Sequence, residues 1–224
     1  SLAFLGVDAV GLDIVNISNS SNPYLIGQET VANGWVTGVT IFGNYAYLSS
    51  LSPGVYAIDV TDPANPIMRD YLNIYSYDIY AEGQYLYLAG SSGLTIVDID
   101  NPTSMEIVGE APEASFALGL AIHGSLAFVA CYDYGLRVLD ISDPSNPVLL
   151  QTFDTAGKSY DVYYSDVYLY LADLSGVVIF LRLQFALLFF RPIHYQGFSY
   201  VVYYPLYLSF AIKRGCFNFF CINF

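Results

Sequence analysis

A short phrase recurs along most of this chain: a glycine opens a strand-like run that closes on aspartate, and a proline-containing turn follows. The clearest copies are Gly54–Val60, Gly93–Ile99 and Gly135–Ile141, and looser copies start at Gly11 and Gly176. The five glycines lie 43, 39, 42 and 41 residues apart. A fixed period of this length indicates stacked, structurally equivalent units. The repeat therefore constrains the architecture more tightly than the function.

Each period contains four extended segments separated by turn residues. In one unit they are Tyr77–Glu82, Tyr85–Ala89, Gly93–Ile99 and a segment near Met105–Gly109. Tyrosine and β-branched residues, with glycine and proline between the segments, favour short antiparallel strands. We therefore predict an all-β fold, a β-propeller of four-stranded antiparallel blades of about 41 residues each, as an incomplete ring. The chain would start at the second strand of one blade, pass through three complete blades and reach the third strand of a fifth by Leu181.

The repeated phrase and its turn resemble the LVIVD repeat family, in which a strand ending in Asp-Ile/Val precedes a Ser/Thr-Asp-Pro-x-Asn-Pro turn. Complete turns occur at Thr61–Pro66 and Ser142–Pro147, and degenerate turns at Ser18–Pro23 and Asp100–Thr103. The resemblance implies a propeller domain of an extracellular or cell-surface protein, mostly without an assigned activity, and seven blades in the parent protein. Because Ser1 lies inside a strand-like phrase, we expect a fragment whose targeting signal lies outside this sequence.

Two regions are predicted: propeller blades over residues 1–182 and an atypical aromatic tail over residues 183–224. No Asp or Glu occurs from Gln184 onward, and Leu181 stands where other repeats carry aspartate. One interpretation is a membrane anchor, because Pro192–Ile212 carries no formal charge and is long enough to span. A second is a diverged blade, since Ser199–Tyr204 is similar to Ser159–Tyr164. A third is a corrupted terminus, as from a shifted reading frame. Proline and polar residues argue against the anchor, so membrane contact is expected only through the tail.

Composition narrows the classes of partner. The formal net charge is −13, and all 20 acidic side chains lie within residues 1–182. The electrostatic repulsion from this negative charge disfavours binding to nucleic acid and to anionic lipid. Cys131, Cys216 and Cys221 form no disulfide or zinc pattern.

The most conspicuous polar series ends the repeated strands. It comprises Asn16, Asp59, Asp98 and Asp140. With Asp62, Asp100 and Asp143 nearby, these residues could ligate calcium, because hard cations bind several oxygens. We favour the alternative that each side chain accepts backbone N–H bonds in a turn before proline, since the spacings that mark calcium loops are missing.

Asp78 and Asp161 occupy equivalent positions where the first strand of a unit begins, and Gly38 and Gly119 stand there in the other units. In a propeller this position lies near the mouth of the axial channel. The two carboxylates are candidate ligand-binding and metal-binding residues, with calcium as the candidate ion. Local capping of the backbone is the alternative that we favour.

Aromatic residues supply the other candidate site. Tyr132, Asp133 and Tyr134 form a loop in which the tyrosines could stack on a sugar or on a partner's apolar surface. Other tyrosines recur at strand positions and are predicted to pack between blades. They are Tyr45, Tyr47, Tyr85 and Tyr87.

No catalytic set is evident: His123 and His194 lack a paired nucleophile and carboxylate, and Cys131 is predicted to be a buried filler. The leading hypothesis is a non-catalytic binding module for a protein or glycan, on an extracellular or cell-surface protein. The alternatives are a hydrolase or lactonase-like propeller enzyme with a metal at Asp78 and Asp161, and a structural spacer.

Overall fold

The computed structural model describes residues 1–31, 35–52, 54–165, 168–174, 176–181, 192–195 and 198–201. Three four-stranded antiparallel sheets follow one another along the chain. Blade 2 contains β4 (Val36–Phe42), β5 (Tyr45–Ser50), β6 (Val55–Asp59) and β7 (Ile67–Leu72). Blade 3 contains β8 (Asp78–Glu82), β9 (Tyr85–Gly90), β10 (Gly93–Asp98) and β11 (Glu106–Ala111). Blade 4 contains β12 (Gly119–His123), β13 (Leu126–Ala130), β14 (Leu136–Asp140) and β15 (Val148–Phe153).

A three-stranded sheet stands on each side of these blades. Blade 1 contains β1 (Leu2–Val7), β2 (Gly11–Asn16) and β3 (Tyr24–Thr30). Blade 5 contains β16 (Ser159–Ser165), β17 (Tyr168–Asp173) and β18 (Gly176–Leu181). The predicted order of blades is confirmed, with strand ends shifted by one or two residues. Among the described residues the one helical segment is a 3-10 turn at Pro112–Ala114.

The first strands of successive blades lie next to one another. β4 contacts β8, β8 contacts β12, and β12 contacts β16. Each complete blade continues outward to its fourth strand, here called the outer strand, which is largely exposed in blades 2 and 4. In blade 1 the outer strand is β3, which follows the repeated phrase in the same way. The first strands therefore surround a shared axis, as in a propeller.

Apolar side chains are buried between blades rather than inside one sheet. Leu12 and Ile14 of blade 1 share a cluster with Leu48 and Ile58 of blade 2. The corresponding clusters join blades 2 and 3, blades 3 and 4, and blades 4 and 5. Tyr47 and Tyr87 are buried in two of these clusters, and Tyr45 and Tyr85 pack against them. The predicted inter-blade role of these tyrosines is confirmed.

The glycine that marks the repeat has a steric reason. It precedes or opens β2, β6, β10, β14 and β18, the strands of the repeated phrase, with a positive φ, for example +120° at Gly93. A Cβ built on Gly93 would clash with the carbonyl oxygen of Ala111 on the outer strand. Only glycine fits both the left-handed backbone and this close approach.

The antiparallel order gives each blade two ends. The entry face is the end where the first strands begin, and it carries the loops at residues 73–77, 112–118, 131–135 and 154–158. The turn face is the opposite end, and it carries the Asp-Pro turns and their equivalents at residues 60–66, 99–105 and 141–147. Asp78, Asp161 and the Tyr132–Tyr134 loop all belong to the entry face.

Two short strands, β19 (Pro192–Tyr195) and β20 (Phe198–Val201), pair within the predicted tail. The rest of residues 182–224 lies outside the described residues, and this includes the part of the proposed anchor segment that follows β20. No helix in the part of the chain that the structure describes is long and apolar enough to cross a membrane. The division at residue 182 and the three interpretations of the tail stay predictions.

Candidate functional site

Strand register shows that Asp78 and Asp161 are equivalent. Asp78 pairs with Ala89 of its second strand, and Asp161 pairs with Ala172. Gly119 pairs with Ala130 in the same way, so it marks this position in the blade between them. The two aspartates therefore lie in first strands separated by one blade, near the entry face.

Asp78 joins two blades through its carboxylate. One oxygen accepts a hydrogen bond from the Ile79 N–H at 2.9 Å, and the other accepts from the Leu120 N–H of blade 4 at 2.9 Å. Burial raises the pKa of Asp78, and the negative charge of Asp161 raises it further against the lowering effect of the two N–H donors. The favoured capping interpretation of Asp78 agrees with these contacts, although one donor comes from the neighbouring blade.

Asp161 is held by a contact within its own strand. One of its oxygens accepts from the Val162 N–H at 2.8 Å. A Cβ on Gly119 would lie 2.6 Å from this oxygen and 2.8 Å from the Asp161 Cα. Glycine at position 119 thus leaves room for Asp161 of the next blade.

A metal at this position would need further ligands. Among the residues that the structure describes, no three His, Cys, Asp or Glu side chains group closely enough to hold an ion. The assignment of calcium to Asp78 and Asp161 stays a prediction.

The loop at Tyr132, Asp133 and Tyr134 is gathered around one lysine. Lys158 Nζ donates to the Tyr132 hydroxyl at 2.6 Å and lies 4.2 Å from the centroid of the same ring. It also lies 3.7 Å from a carboxylate oxygen of Asp133. The Tyr132 hydroxyl raises the pKa of Lys158, and the charge of Asp133 adds to this effect. The structure therefore brings the loop together with the start of blade 5.

The two tyrosines of this loop differ in exposure. Tyr134 is exposed, whereas Tyr132 is half-buried and meets the Tyr160 ring edge-on at 5.5 Å. Lys158 and Tyr160 cover part of the Tyr132 ring. Tyr134 lies 6.0 Å from the ring of Phe116, which is also exposed.

Backbone strain is concentrated at the same place. Three non-glycine residues among those described have positive φ, and two of them are Phe116 at 56° and Tyr132 at 40°. Such conformations cost free energy in aromatic residues and often accompany functional sites. The Tyr132 backbone is fixed by two hydrogen bonds with Ser159 of blade 5, at 3.0 and 2.9 Å.

A series of exposed residues that the sequence analysis missed continues from Phe116. Gly38, Asp78, Gly119 and Asp161 occupy equivalent positions in blades 2 to 5. The residues three positions before them are Trp35, Tyr75, Phe116 and Lys158. The three aromatic side chains are 68%, 54% and 52% exposed. We call these four residues the entry-face rim. Aligning the repeats on the glycine and aspartate position would have revealed it.

The comparisons with known proteins bear on the fold. The LVIVD repeat model matches residues 3–30, 33–73, 75–111 and 116–155, which is more than half of the chain. The chain belongs to the LVIVD repeat family. No curated protein matches this LVIVD protein.

Two solved structures of designed proteins resemble this LVIVD chain. The computationally designed Ika8 protein has a TM-score of 0.63 at 11% identity, covering 80% of this chain and 55% of its own. The computationally designed Ika4 protein has a TM-score of 0.56 at 10% identity, covering 70% of this chain and 97% of its own. The LVIVD chain thus spans about half the length of Ika8. At this identity the likeness concerns the fold alone.

The strand-ending residues of the LVIVD repeats close turns. Asn16, Asp59, Asp98 and Asp140 each accept a hydrogen bond from the backbone N–H two residues later, at 2.7 to 3.0 Å. In each of the four turns, the side chain three positions later also accepts a hydrogen bond from the backbone N–H two residues after it, with N–O distances of 3.1 to 3.2 Å. These side chains are Asn19, Asp62, Asn101 and Asp143. The favoured interpretation of this series as turn-forming agrees with these contacts.

Cys131 and His123 are both occupied in packing. Cys131 is fully buried, and burial raises the pKa of its thiol to about 12. The thiol is therefore neutral and unreactive at ordinary pH. The His123 ring stacks on Tyr164 of blade 5 at 4.1 Å.

Proposed function

We propose that this protein is a non-catalytic binding module that holds a glycan or protein ligand on its entry face. The observation that carries the proposal is the entry-face rim, in which equivalent positions of three successive blades expose an aromatic ring. Single exposed apolar side chains are common on protein surfaces, but exposed rings that recur at equivalent positions on neighbouring blades of one face suit an interaction site.

The rim follows the first strands around the axis. Because these strands are neighbours, residues three positions before equivalent points lie on adjacent blades of one face. The residues after Tyr75 and Phe116 are both held to the second strand of the preceding blade: Ser76 N–H donates to Ser50 O, and Ala117 N–H donates to Gly90 O. Rings presented from a fixed backbone lose little conformational entropy on binding.

Charge narrows the proposed ligand. The net charge of −13 repels polyanions, so a neutral glycan chain or a neutral or basic protein surface fits better. Tyrosine hydroxyls and Lys158 supply hydrogen bonds beside the apolar ring faces, a combination suited to sugars. The family resemblance supports an extracellular or cell-surface location as part of this proposal.

The test is whether the full chain binds neutral polysaccharides, measured by affinity electrophoresis, or surface proteins, measured by pull-down. We expect one ligand class to bind, and the triple variant Trp35→Ala, Tyr75→Ala and Phe116→Ala to bind on the order of 100-fold more weakly, at about 1 kcal/mol per ring. The control triple variant replaces exposed outer-strand residues instead. It is Tyr24→Ala, Ile107→Ala and Leu150→Ala.

Equal weakening in both triple variants, or unchanged binding in the rim variant, would overturn the proposal. Failure of every ligand to bind would favour the structural spacer. If calcium instead raised the melting temperature, and the Asp78→Ala and Asp161→Ala variant lost this rise, the metal alternative would be favoured.

A further inference from the structure

The outer strands of blades 1 to 4 each have a β-bulge at the same place in their pairing with the preceding strand. In each outer strand one residue is left unpaired at the bulge. The residue that follows it in the chain is Gly27 in blade 1, Asp70 in blade 2, Gly109 in blade 3 and Gln151 in blade 4. We call this residue the bulge residue. Bulges of this kind redirect a strand and re-aim a side chain.

Where the bulge residue is glycine, the turn of the next blade packs directly on it. A Cβ on Gly27 would clash with the Pro63 carbonyl oxygen and lie 3.1 Å from Cδ of Pro66. A Cβ on Gly109 would clash with the Pro144 carbonyl oxygen and lie 3.2 Å from Cδ of Pro147. In both cases a proline ring without an N–H faces the bulge.

Blade 2 and the turn of blade 3, which packs on blade 2, differ from this arrangement. Asp70 is the bulge residue, and Met105 stands where Pro66 and Pro147 stand in the other turns. The Met105 N–H donates to a carboxylate oxygen of Asp70 at 2.6 Å, and the second oxygen accepts from the Tyr71 N–H at 2.8 Å. Met105 is buried, so its N–H depends on this acceptor.

We propose that the bulge residue and the last residue of the next turn form a matched pair that determines which blades can be neighbours. Glycine fits a turn ending in proline, and aspartate fits a turn ending in a residue with an N–H. Aspartate opposite proline would clash and would lack a donor. Glycine opposite methionine would leave a buried N–H without an acceptor.

The rule specifies the partner of blade 1. The turn of blade 1 ends in Pro23, which is exposed. A blade that packs there is therefore expected to carry glycine as its bulge residue, as β3 and β11 do. A strand of the β7 type, with Asp70, would not fit.

A double-mutant cycle on the full chain tests the pair, with folding equilibrium constants measured by urea unfolding. We expect Asp70→Gly to lower the constant by about 10-fold or more, because the Met105 N–H loses its acceptor. Adding Met105→Pro to Asp70→Gly is expected to restore most of this loss. The control Met105→Ala keeps the N–H and is expected not to restore it.

An exchange measurement guards against a simple folding failure. Asp70→Gly should speed hydrogen exchange at the Met105 amide more than at Ile107, because only the Met105 N–H donates to Asp70. Additive effects in the cycle would overturn the proposal. If Met105→Pro unfolds the protein in either background, the exchange measurement decides, and equal changes at the two amides would overturn the proposal.

Discussion

Single carboxylates close the turns that follow the third strands. Asp59 accepts from the Thr61 N–H at 3.0 Å and from Arg69 Nη2 at 2.8 Å. The hydrogen bonds from Thr61, followed by those from Arg69, lower the pKa of Asp59 to about 2. The turn role could be predicted from the sequence, because asparagine and aspartate before proline have a local use. The ion pair between Asp59 and Arg69 could not be predicted, since Arg69 is the residue that the bulge of β7 leaves unpaired in the strand register.

The first prediction concerns the pH dependence of stability through Asp59. Its pKa is lower in the folded state than the ordinary 3.8, so its contribution is present above pH 4 and is lost as the pH falls toward 2. Replacing Asp59 by Ala is expected to cost about 1 kcal/mol at pH 7, because the turn and the partly exposed ion pair are lost together. Urea unfolding at several pH values measures the difference from the wild type.

The matched variant Asp59→Asn keeps an acceptor for the Thr61 N–H but does not titrate. Its deficit relative to the wild type should shrink as the pH falls toward the folded-state pKa of about 2. A deficit that stays constant over the whole pH range would contradict the assigned pKa.

At the scale of the element, strands were predictable and their irregularities were not. Alternating apolar residues and glycine or proline turns marked β8 to β11 within one or two residues of their observed ends. The bulges of β3, β7 and β11 lie against the turn of the next blade, as at Gly109 against Pro144, and no local pattern encodes such a contact. The same holds for Asp70, whose partner Met105 lies in the turn of another blade.

The second prediction compares two glycines of blade 3. Gly93→Ala is expected to cost about 3 kcal/mol, since strain at φ +120° adds to the clash with Ala111 O. Gly83→Ala is the control, because φ is +60° but no atom lies within 4 Å of the added Cβ. It should cost about 1 kcal/mol. Equal losses on urea unfolding would contradict the steric explanation.

At the scale of the whole molecule, the repeat predicted stacked blades because no blade buries both faces alone. The place of the first strand at the axis came from general propeller topology, and the contacts among β4, β8, β12 and β16 agree with it. The aromatic rim escaped the sequence analysis because its members are separated by about a full repeat. Asp78 and Asp161 were singled out as a pair, but the bond from the Leu120 N–H to Asp78 needed the neighbouring blade.

The most direct test of the stacked arrangement is a disulfide between blades 1 and 2. A Cβ on Gly6 would lie 3.4 Å from the Cβ of Val36, close to the separation in disulfides. With the three native cysteines replaced by alanine, Gly6→Cys and Val36→Cys should cross-link on mild oxidation, as seen by mass spectrometry. The control pair, Gly6→Cys with Gly43→Cys, should not cross-link, because Gly43 lies beyond the far end of β4. Failure of the first pair, or equal cross-linking of both pairs, would contradict the stacked-blade account.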